Sequence, residues 1–313
     1  MEKIKLYEMP LQQKIAQMII VRGTSFDQRF VELGIGGIFL SGSLSKEEYM
    51  NIISNYQKNT KIKLFVAADV EGYQHPFRNF YETTPFGSIK NEKEAYELGK
   101  NHGEIMNKLG FNLDFSPVVE IKDDVWPGRS FKGSLENIKG KISNYIKGLQ
   151  EQKIIATAKH YPGGSMIKDP HKIKYEVEIY EDDLALFDEA IKANVGAIMI
   201  GHPIVHGAID SNGKQCTISS EVISVLRKKF NGLIITDGIS MEGLKISYPD
   251  FKRVYPDLIN AGNDIILDSQ PDSTYDKILE RIAEVEKTIK EGRITEKEID
   301  DHVRRILKIK NLL

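Results

Sequence analysis

The segment IATAKHYPGGSMIKDPHK, residues 155–172, joins an apolar run to a cluster of titratable side chains. Its first seven residues indicate a buried strand, because short continuous apolar runs are typical of parallel strands that are covered on both faces. A Pro-Gly-Gly turn and the sequence Asp169-Pro170-His171 follow at once. Polar chemistry therefore collects where this strand ends.

The same strand-like pattern recurs along the chain, and helix-like segments separate the runs. Eight such strands favour a single (β/α)8 TIM-type barrel of the α/β class, with residues 1–313 as one catalytic domain. An open doubly wound sheet usually has a Gly-rich phosphate turn after its first strand, and VRGTSFDQ lacks that spacing. The eight runs are QMIIVRG (17–23), GGIFLS (36–41), KLFVAADV (63–70), FNLDFSPV (111–118), IATAKHY (155–161), GAIMIGH (196–202), LIITDG (233–238) and DIILDS (264–269).

Three helices are predicted with defined ends. The segments 95–110 and 181–196 have apolar side chains at helical spacing and are expected to end at Gly110 and Gly196. In the C-terminal segment, Thr295 and Glu298 form a capping-box pattern. His302 on that last helix is expected to be a surface residue.

Composition limits the classes of partner. With 43 basic and 45 acidic residues, the formal net charge is −2, so a nucleic acid partner is not expected. The single cysteine, Cys216, fits a reducing compartment. No signal peptide or membrane span is visible, so a cytoplasmic protein without a membrane partner is expected. No nucleotide or metal motif is recognisable, since no acidic residue completes a ligand pattern with His202 and His206; no cofactor is expected.

Barrel enzymes have their active sites at the carboxyl ends of the strands. Each candidate there also has a structural interpretation. Asp237 could cap the next helix, Lys159 and His160 could be a buried ion pair and a core histidine, and Asp169-Pro-His171 could be a solvated turn. The strand ends and their loops supply Asp69, Glu71, Arg129, Lys159, His160, Asp169, His171, His202, Asp237 and Asp268.

The order of these pieces resembles glycoside hydrolase family 3, in particular its bacterial β-N-acetylglucosaminidase (NagZ-like) branch. The resemblance covers nearly the whole chain. The segments that carry it are LQQKIAQMII, VAADVEG, LGFNLDFSPVVEI with GRSF, GLQEQKIIATAKHYPGG, DPH, AIMIGHPIVHGAID, TISSEVISVLRKKF, LIITDGISMEGL, AGNDIIL and RRILKIK.

The resemblance implies a retaining, exo-acting β-N-acetylhexosaminidase that acts on a small carbohydrate substrate. It makes Asp237 the nucleophile and His171, assisted by Asp169, the acid/base. The remaining matched residues would bind the sugar: Asp69, Arg129, Lys159 and His160. Imidazole suits proton transfer near neutral pH, and Asp169 could fix its tautomer.

The sequence departs from the branch around the pocket rim. Tyr73 replaces a glycine, Arg78 lies one position beyond the usual arginine, and the loop before Asp169 is one residue shorter. Gly164-Ser165 replaces a His-Gly pair, Gly238 stands where a second acid is common, and QCTIS replaces a small-residue run. The resemblance therefore supports a glycosidic reaction more than a preference for N-acetylglucosamine.

Three alternatives remain open from the sequence. Phosphate could replace water as the acceptor, since a histidine acid/base does not repel an incoming anion. Lys159 could instead form a Schiff base, as in an aldolase. A sugar-binding protein without turnover is the third. The aglycone and the oligomeric state are not specified.

Overall fold

The computed structural model describes residues 3–72, 75–269 and 273–313. Eight parallel strands form the main sheet in the order β10-β1-β2-β3-β4-β5-β7-β9, and a bridge between Ile235 and Ile265 connects its two ends. The prediction of a TIM-type barrel is confirmed. The strands of this sheet are β1 (Ile19–Arg22), β2 (Gly37–Phe39), β3 (Phe65–Ala68), β4 (Leu113–Asp114), β5 (Ile155–Tyr161), β7 (Ala197–Ile200), β9 (Leu233–Thr236) and β10 (Ile266–Asp268).

Helices surround the barrel, and a second small sheet lies beyond its strand ends. That sheet pairs β6 (Glu176–Ile179) in parallel with β8 (Ile204–Gly207). The helices of the described residues are α1 (Leu11–Gln17), α2 (Gln28–Leu33), α3 (Lys46–Asn59), α4 (Glu92–Leu109), α5 (Leu135–Glu151), α6 (Glu181–Lys192), α7 (Ser220–Arg227), α8 (Glu242–Lys245), α9 (Val254–Ala261), α10 (Tyr275–Lys290) and α11 (Glu296–Ile309).

The barrel strands are buried along nearly their whole length, as continuous apolar runs require. β5 is the longest strand, and its pairing with β7 shifts register between Lys159 and Tyr161. This irregularity lies where the strand delivers its polar side chains to the mouth of the barrel. In the described part of the chain, none of the helices has the length and apolar character needed to cross a membrane.

The predicted helix ends are partly confirmed. Gly110 ends α4 in the left-handed conformation. The prediction for α6 was wrong: it ends at Lys192, and Asn194, with a φ of 56°, takes the left-handed position. Asn tolerates this conformation because its short polar side chain bonds locally. Gly196 lies two residues after Asn194, against Ile155, where a side chain would not fit.

The C-terminal helix confirms one prediction and corrects another. Thr295 and Glu298 form the predicted capping box. His302, expected at the surface, is 6% exposed. Its Nδ1 lies 2.9 Å from the buried Asp264 carboxylate, which also pairs with Arg227 and Arg305. A buried carboxylate needs such partners, and α11 supplies two of them.

α4 and α5 approach closely because glycines lie at their contact. A Cβ atom on Gly148 would lie 2.2 Å from the carbonyl oxygen of Tyr96 and 2.9 Å from the backbone nitrogen of Lys100. Backbone atoms inside a helix cannot move aside as a side chain can. Gly140, on the same helix, would meet only the exposed side chain of Glu92.

We expect Gly148→Ala to destabilise the protein by about 1–3 kcal/mol, the usual cost of overpacking, despite the better helix propensity of alanine. The matched Gly140→Ala should be neutral or slightly stabilising, because Glu92 can rotate away. Urea denaturation of both variants measures the difference. Equal stability of the two would show that the contact between α4 and α5 yields at little cost.

Candidate active site

A cavity of about 330 Å³ opens at the carboxyl ends of the barrel strands. The structure brings six of the seven predicted site residues to this one cavity, although they come from five separate parts of the chain. The seventh, Asp169, contacts His171. The six lining residues are Asp69, Arg129, Lys159, His160, His171 and Asp237.

Glu71 lies at the centre of the ion pairs that build one wall. It receives a bidentate pair of hydrogen bonds from Arg129, at 2.6 Å from Nε and 2.8 Å from Nη2. Lys159 Nζ contacts the Glu71 carboxylate and donates to Asp69 Oδ1 at 2.6 Å. Burial would raise the pKa of Glu71, but Lys159 and Arg129 outweigh it and lower the pKa to about 2. Glu71 is therefore ionised throughout the neutral range.

The same ion pairs determine the protonation state of Lys159. Burial alone would lower the pKa of its ammonium, but the carboxylates of Asp69 and Glu71 outweigh burial and raise it. Schiff-base chemistry needs a lysine whose amine can be neutral. The ion pairs keep Lys159 charged, which disfavours the aldolase alternative.

Asp237 directly follows β9 and is 6% exposed at the base of the cavity. The Gly238 amide donates to its Oδ1 at 2.7 Å, and its Oδ2 faces His160 Nε2 at 3.8 Å. Burial would raise the pKa of Asp237, but His160, His202 and the Gly238 amide outweigh it, and the pKa lies below its ordinary value. The carboxylate is thus held ionised without a direct counter-ion. It does not cap α8, which begins at Glu242 after Met241.

His202 supports the turn that carries Asp237. Its Nε2 donates to the Gly238 carbonyl at 3.0 Å, and its Nδ1 accepts from the Thr217 hydroxyl at 2.9 Å. Burial lowers the pKa of His202, so the neutral imidazole fits this pattern of one donor and one acceptor. Both ring nitrogens are therefore engaged within the protein.

His160 is oriented by a carboxylate that the sequence did not single out. Its Nδ1 donates to Glu120 Oε1 at 2.8 Å, which turns Nε2 toward Asp237. Glu120 Oε2 accepts from the Met166 amide at 3.1 Å. The ring is thus held between two carboxylates, and one of them also contacts the loop that follows β5.

His171 lies on that loop, and its side chain is 56% exposed. Its Nδ1 donates to Asp169 Oδ1 at 3.0 Å, and its backbone amide donates to the same oxygen at 3.0 Å. Burial would raise the pKa of Asp169, but its bonds to His171 and Lys172 outweigh it and lower the pKa. The turn expected from Asp-Pro is present, and it leaves Nε2 of His171 as the ring nitrogen available to a ligand.

The wall beside His171 is aromatic. The ring of Trp126 lies edge-on to His171, with 5.9 Å between centroids, and the Arg129 guanidinium lies 5.0 Å from the Trp126 ring. Met241 completes an apolar side of the cavity. A sugar ring has apolar faces as well as hydroxyl groups, and this wall matches that character.

Three contributors were missed or left without a role. Glu71 was identified only as a strand-end residue, and Glu120 and Trp126 were not identified as site residues. A charged residue that directly follows an apolar strand run was the available signal for both carboxylates. Trp126 gave no signal, because a single loop tryptophan has many structural uses.

The departures at the rim are only partly visible. Arg78 and Ser165 line the cavity. Gly164, with a φ of 77°, lies close to Val177, and Gly238 contributes the amide that binds Asp237. Tyr73 lies outside the described residues.

Comparisons with known proteins agree with the geometry. Residues 10–309 match the model of the glycosyl hydrolase family 3 N terminal domain, and the chain belongs to this family. A β-N-acetylglucosaminidase/β-glucosidase of Cellulomonas fimi is 26% identical over 97% of this chain and 58% of its own length. A β-hexosaminidase of Tolumonas auensis is 28% identical, covering 80% of this chain and 81% of the relative.

Solved structures show the same fold. A family 3 β-N-acetylglucosaminidase from Paenibacillus sp. str. FPU-7 superposes with a TM-score of 0.84 at 24% identity, over 97% of this chain and 62% of that one. The chain therefore spans about three-fifths of the length of the Cellulomonas and Paenibacillus proteins.

The Glu71 ion pairs predict a pH-dependent stability. Glu71→Gln leaves two buried cations short of a partner and should cost roughly 3–5 kcal/mol at pH 7. Because the folded-state pKa is depressed from 4.5 to about 2, this stabilisation is present above pH 4.5 and is lost as the pH falls toward 2. Denaturant unfolding between pH 7 and pH 3 should show the gap between wild type and variant narrowing below pH 4.5.

Glu136→Gln is the matched control, because Glu136 is 80% exposed and pairs with Lys139 on the surface. Its effect should stay below about 1 kcal/mol at every pH. A Glu71→Gln gap that stays constant down to pH 3 would contradict the depressed pKa.

Proposed function

We propose that the chain is a retaining, exo-acting β-N-acetylhexosaminidase that hydrolyses terminal β-linked N-acetylglucosamine, with residues 1–313 as one catalytic barrel domain. The observation that supports it most is that an ionised, buried Asp237 and an imidazole oriented by Asp169 line one cavity. The names of the Cellulomonas and Tolumonas relatives support the sugar. Family membership supports the reaction class.

In this proposal Asp237 is the nucleophile. Retaining hydrolysis needs a carboxylate that attacks the anomeric carbon and forms a glycosyl-enzyme intermediate. The Gly238 amide holds Oδ1 at 2.7 Å, so Oδ2, which faces His160, is the oxygen that we assign to the attack. An ionised carboxylate that is free of a strong ion pair keeps its nucleophilic character.

His171 is the acid/base. Asp169 accepts the Nδ1 proton, so Nε2 is the nitrogen that protonates the leaving oxygen in the first step. After the leaving group departs, the same nitrogen takes a proton from water, which attacks the intermediate and restores Asp237. The left-handed Gly163 and Gly164 before the loop provide the backbone freedom that a moving His171 would use.

The ion-pair wall binds the sugar hydroxyls. Lys159 has three N–H donors, and the two contacts to Asp69 and Glu71 leave one for a ligand. The Asp69 side chain is 39% exposed and its carboxylate can accept from hydroxyl groups. Arg129, whose guanidinium lies over the Trp126 ring, and His160 complete this polar side.

Asp237→Ala should lower kcat on a nitrophenyl N-acetylglucosaminide by 10³-fold or more, on the order of the loss of other catalytic nucleophiles. An activated 5-fluoro N-acetylglucosaminide, which keeps the 2-acetamido group, should label wild type at Asp237, read by intact mass and peptide mapping. Glu242→Ala, which removes a half-exposed carboxylate of α8, should keep full turnover. Label at another residue of a turning-over enzyme would refute the assignment.

His171→Ala should lower kcat/KM by roughly 10²–10⁴-fold on substrates whose leaving group needs a proton. A dinitrophenyl substrate, whose leaving group departs unprotonated, should lose little in the first step. His206→Ala, an exposed histidine of β8, is the matched control and should match wild type on both. A loss that is equal for both leaving groups would reject His171 as the acid.

A panel of nitrophenyl glycosides carrying N-acetylglucosamine, glucose, xylose or galactose tests the sugar preference. The N-acetylglucosaminide should have the highest kcat/KM. Product analysis in phosphate buffer should yield free sugar. A sugar 1-phosphate would instead assign a phosphorylase on the same residues.

A further inference from the structure

Glu120 is a buried carboxylate that belongs to neither the nucleophile nor the acid/base, yet it contacts the supports of both. It directly follows the apolar run that ends at Val119 and is 3% exposed. One oxygen accepts the His160 ring N–H at 2.8 Å and lies 3.4 Å from the His160 amide. The other accepts the Met166 amide at 3.1 Å.

We infer that Glu120 is a positioning residue that holds the two halves of the site at once, the His160 ring beside Asp237 and the start of the loop that carries His171. The inference rests on the proposed function and deepens it. A carboxylate is required because both of its oxygens accept. An amide of the same shape presents one acceptor and one donor, so it would confront either the ring N–H or the Met166 N–H with another donor.

The first half of this role is electrostatic. Glu120 accepts from Nδ1 of the His160 ring and so keeps Nε2 of that ring 3.8 Å from Asp237 Oδ2. His160 in this position lowers the pKa of Asp237, which favours the ionised nucleophile. Among the described residues, the titratable groups that face the Glu120, His160 and Asp237 side chains from neighbouring elements include Lys159, His202, Arg129, Tyr175 and Asp183.

The second half is geometric. Met166 donates to Glu120 through its amide, and its carbonyl accepts from the Val125 amide at 3.0 Å. These two bonds fix the loop five residues before His171. Directly before that histidine, the Pro170 carbonyl accepts from the Gly243 amide at 2.8 Å. Release of the Glu120 contact frees the first of these anchor points.

Two assays on Glu120→Gln separate the electrostatic half of this role from the geometric half. The rate at which an activated 5-fluoro N-acetylglucosaminide labels Asp237, followed against pH, depends on ionised Asp237 and not on His171. Its acid limb should move up by about one pH unit when the Glu120 charge is lost. The ratio of kcat/KM between substrates with dinitrophenyl and with poor leaving groups reports on the position of the loop that carries His171. In Glu120→Gln, kcat/KM on the substrate with the poor leaving group should fall a further 10- to 100-fold relative to the dinitrophenyl substrate.

Asp183→Asn is the matched control. It removes another carboxylate from a second cavity, which Glu120 also lines, but Asp183 accepts from the Tyr180 amide rather than from His160 or Met166. Its acid limb and leaving-group ratio should equal those of wild type. A Glu120→Gln enzyme with the wild-type limb and kcat/KM within about twofold would overturn the inference.

If Glu120→Gln does not fold, Glu120→Asp decides the question. It keeps the charge but shortens the reach, so the acid limb should stay in place while kcat/KM on poor leaving groups falls. Unchanged kcat/KM in Glu120→Asp would overturn the positioning role. Wild-type NMR should also show a protected, downfield His160 ring N–H proton, and the lack of that signal would likewise count against the inference.

Failure of the proposed function gives a different pattern. Turnover of wild type without label at Asp237 would reject the nucleophile. The NMR signal of the His160 ring N–H proton, and the acid limb of the pH profile of kcat/KM in Glu120→Gln, would still test the role of Glu120 independently of the nucleophile.

Discussion

The buried Glu71 carboxylate lies between two cations, and the mouth of the barrel is arranged around it. Its partners come from other strand ends: Arg129 from the loop after β4 and Lys159 from β5. Charges removed from water are costly unless they are paired, so any displacement of these strand ends is penalised. The same pairing orients the Lys159 and Arg129 donors before a ligand arrives. Preorganised donors of this kind need not reorganise when the ligand binds.

The two candidate reacting groups lie in contrasting environments. Asp237 is buried on a strand end, held by an amide and faced by two imidazoles, so its charge is stabilised without being neutralised. His171 lies on an exposed loop, where Asp169 orients its ring and Trp126 lies edge-on to it. A rigid carboxylate suits a nucleophile that must stay close to the anomeric carbon. A less constrained imidazole suits an acid/base that first protonates the leaving oxygen and then takes a proton from the attacking water. Glu120 is the contact that links these two environments.

The sequence was most informative where a local pattern determines the structure. Apolar runs located every strand of the barrel. The rule that parallel strands present their carboxyl ends together located seven residues that line the cavity. The partners of those residues were not predictable, because Lys159 and Asp69 lie 90 positions apart and their bond depends on the closed barrel. His302 was within reach, since it follows Ile299 by three positions on the apolar face of α11. Its burial requires Asp264 as a partner, and only the packed helix reveals that partner.

A crystal structure of the enzyme trapped with an activated 5-fluoro N-acetylglucosaminide, which keeps the 2-acetamido group, tests the central claim most directly. The account predicts a covalent bond from Asp237 Oδ2 to the anomeric carbon, with His171 Nε2 facing the side from which the leaving group departed and with hydroxyls bound by Lys159 and Asp69. A sugar attached to another residue, or bound with its anomeric carbon turned away from Asp237 in an active enzyme, would contradict it.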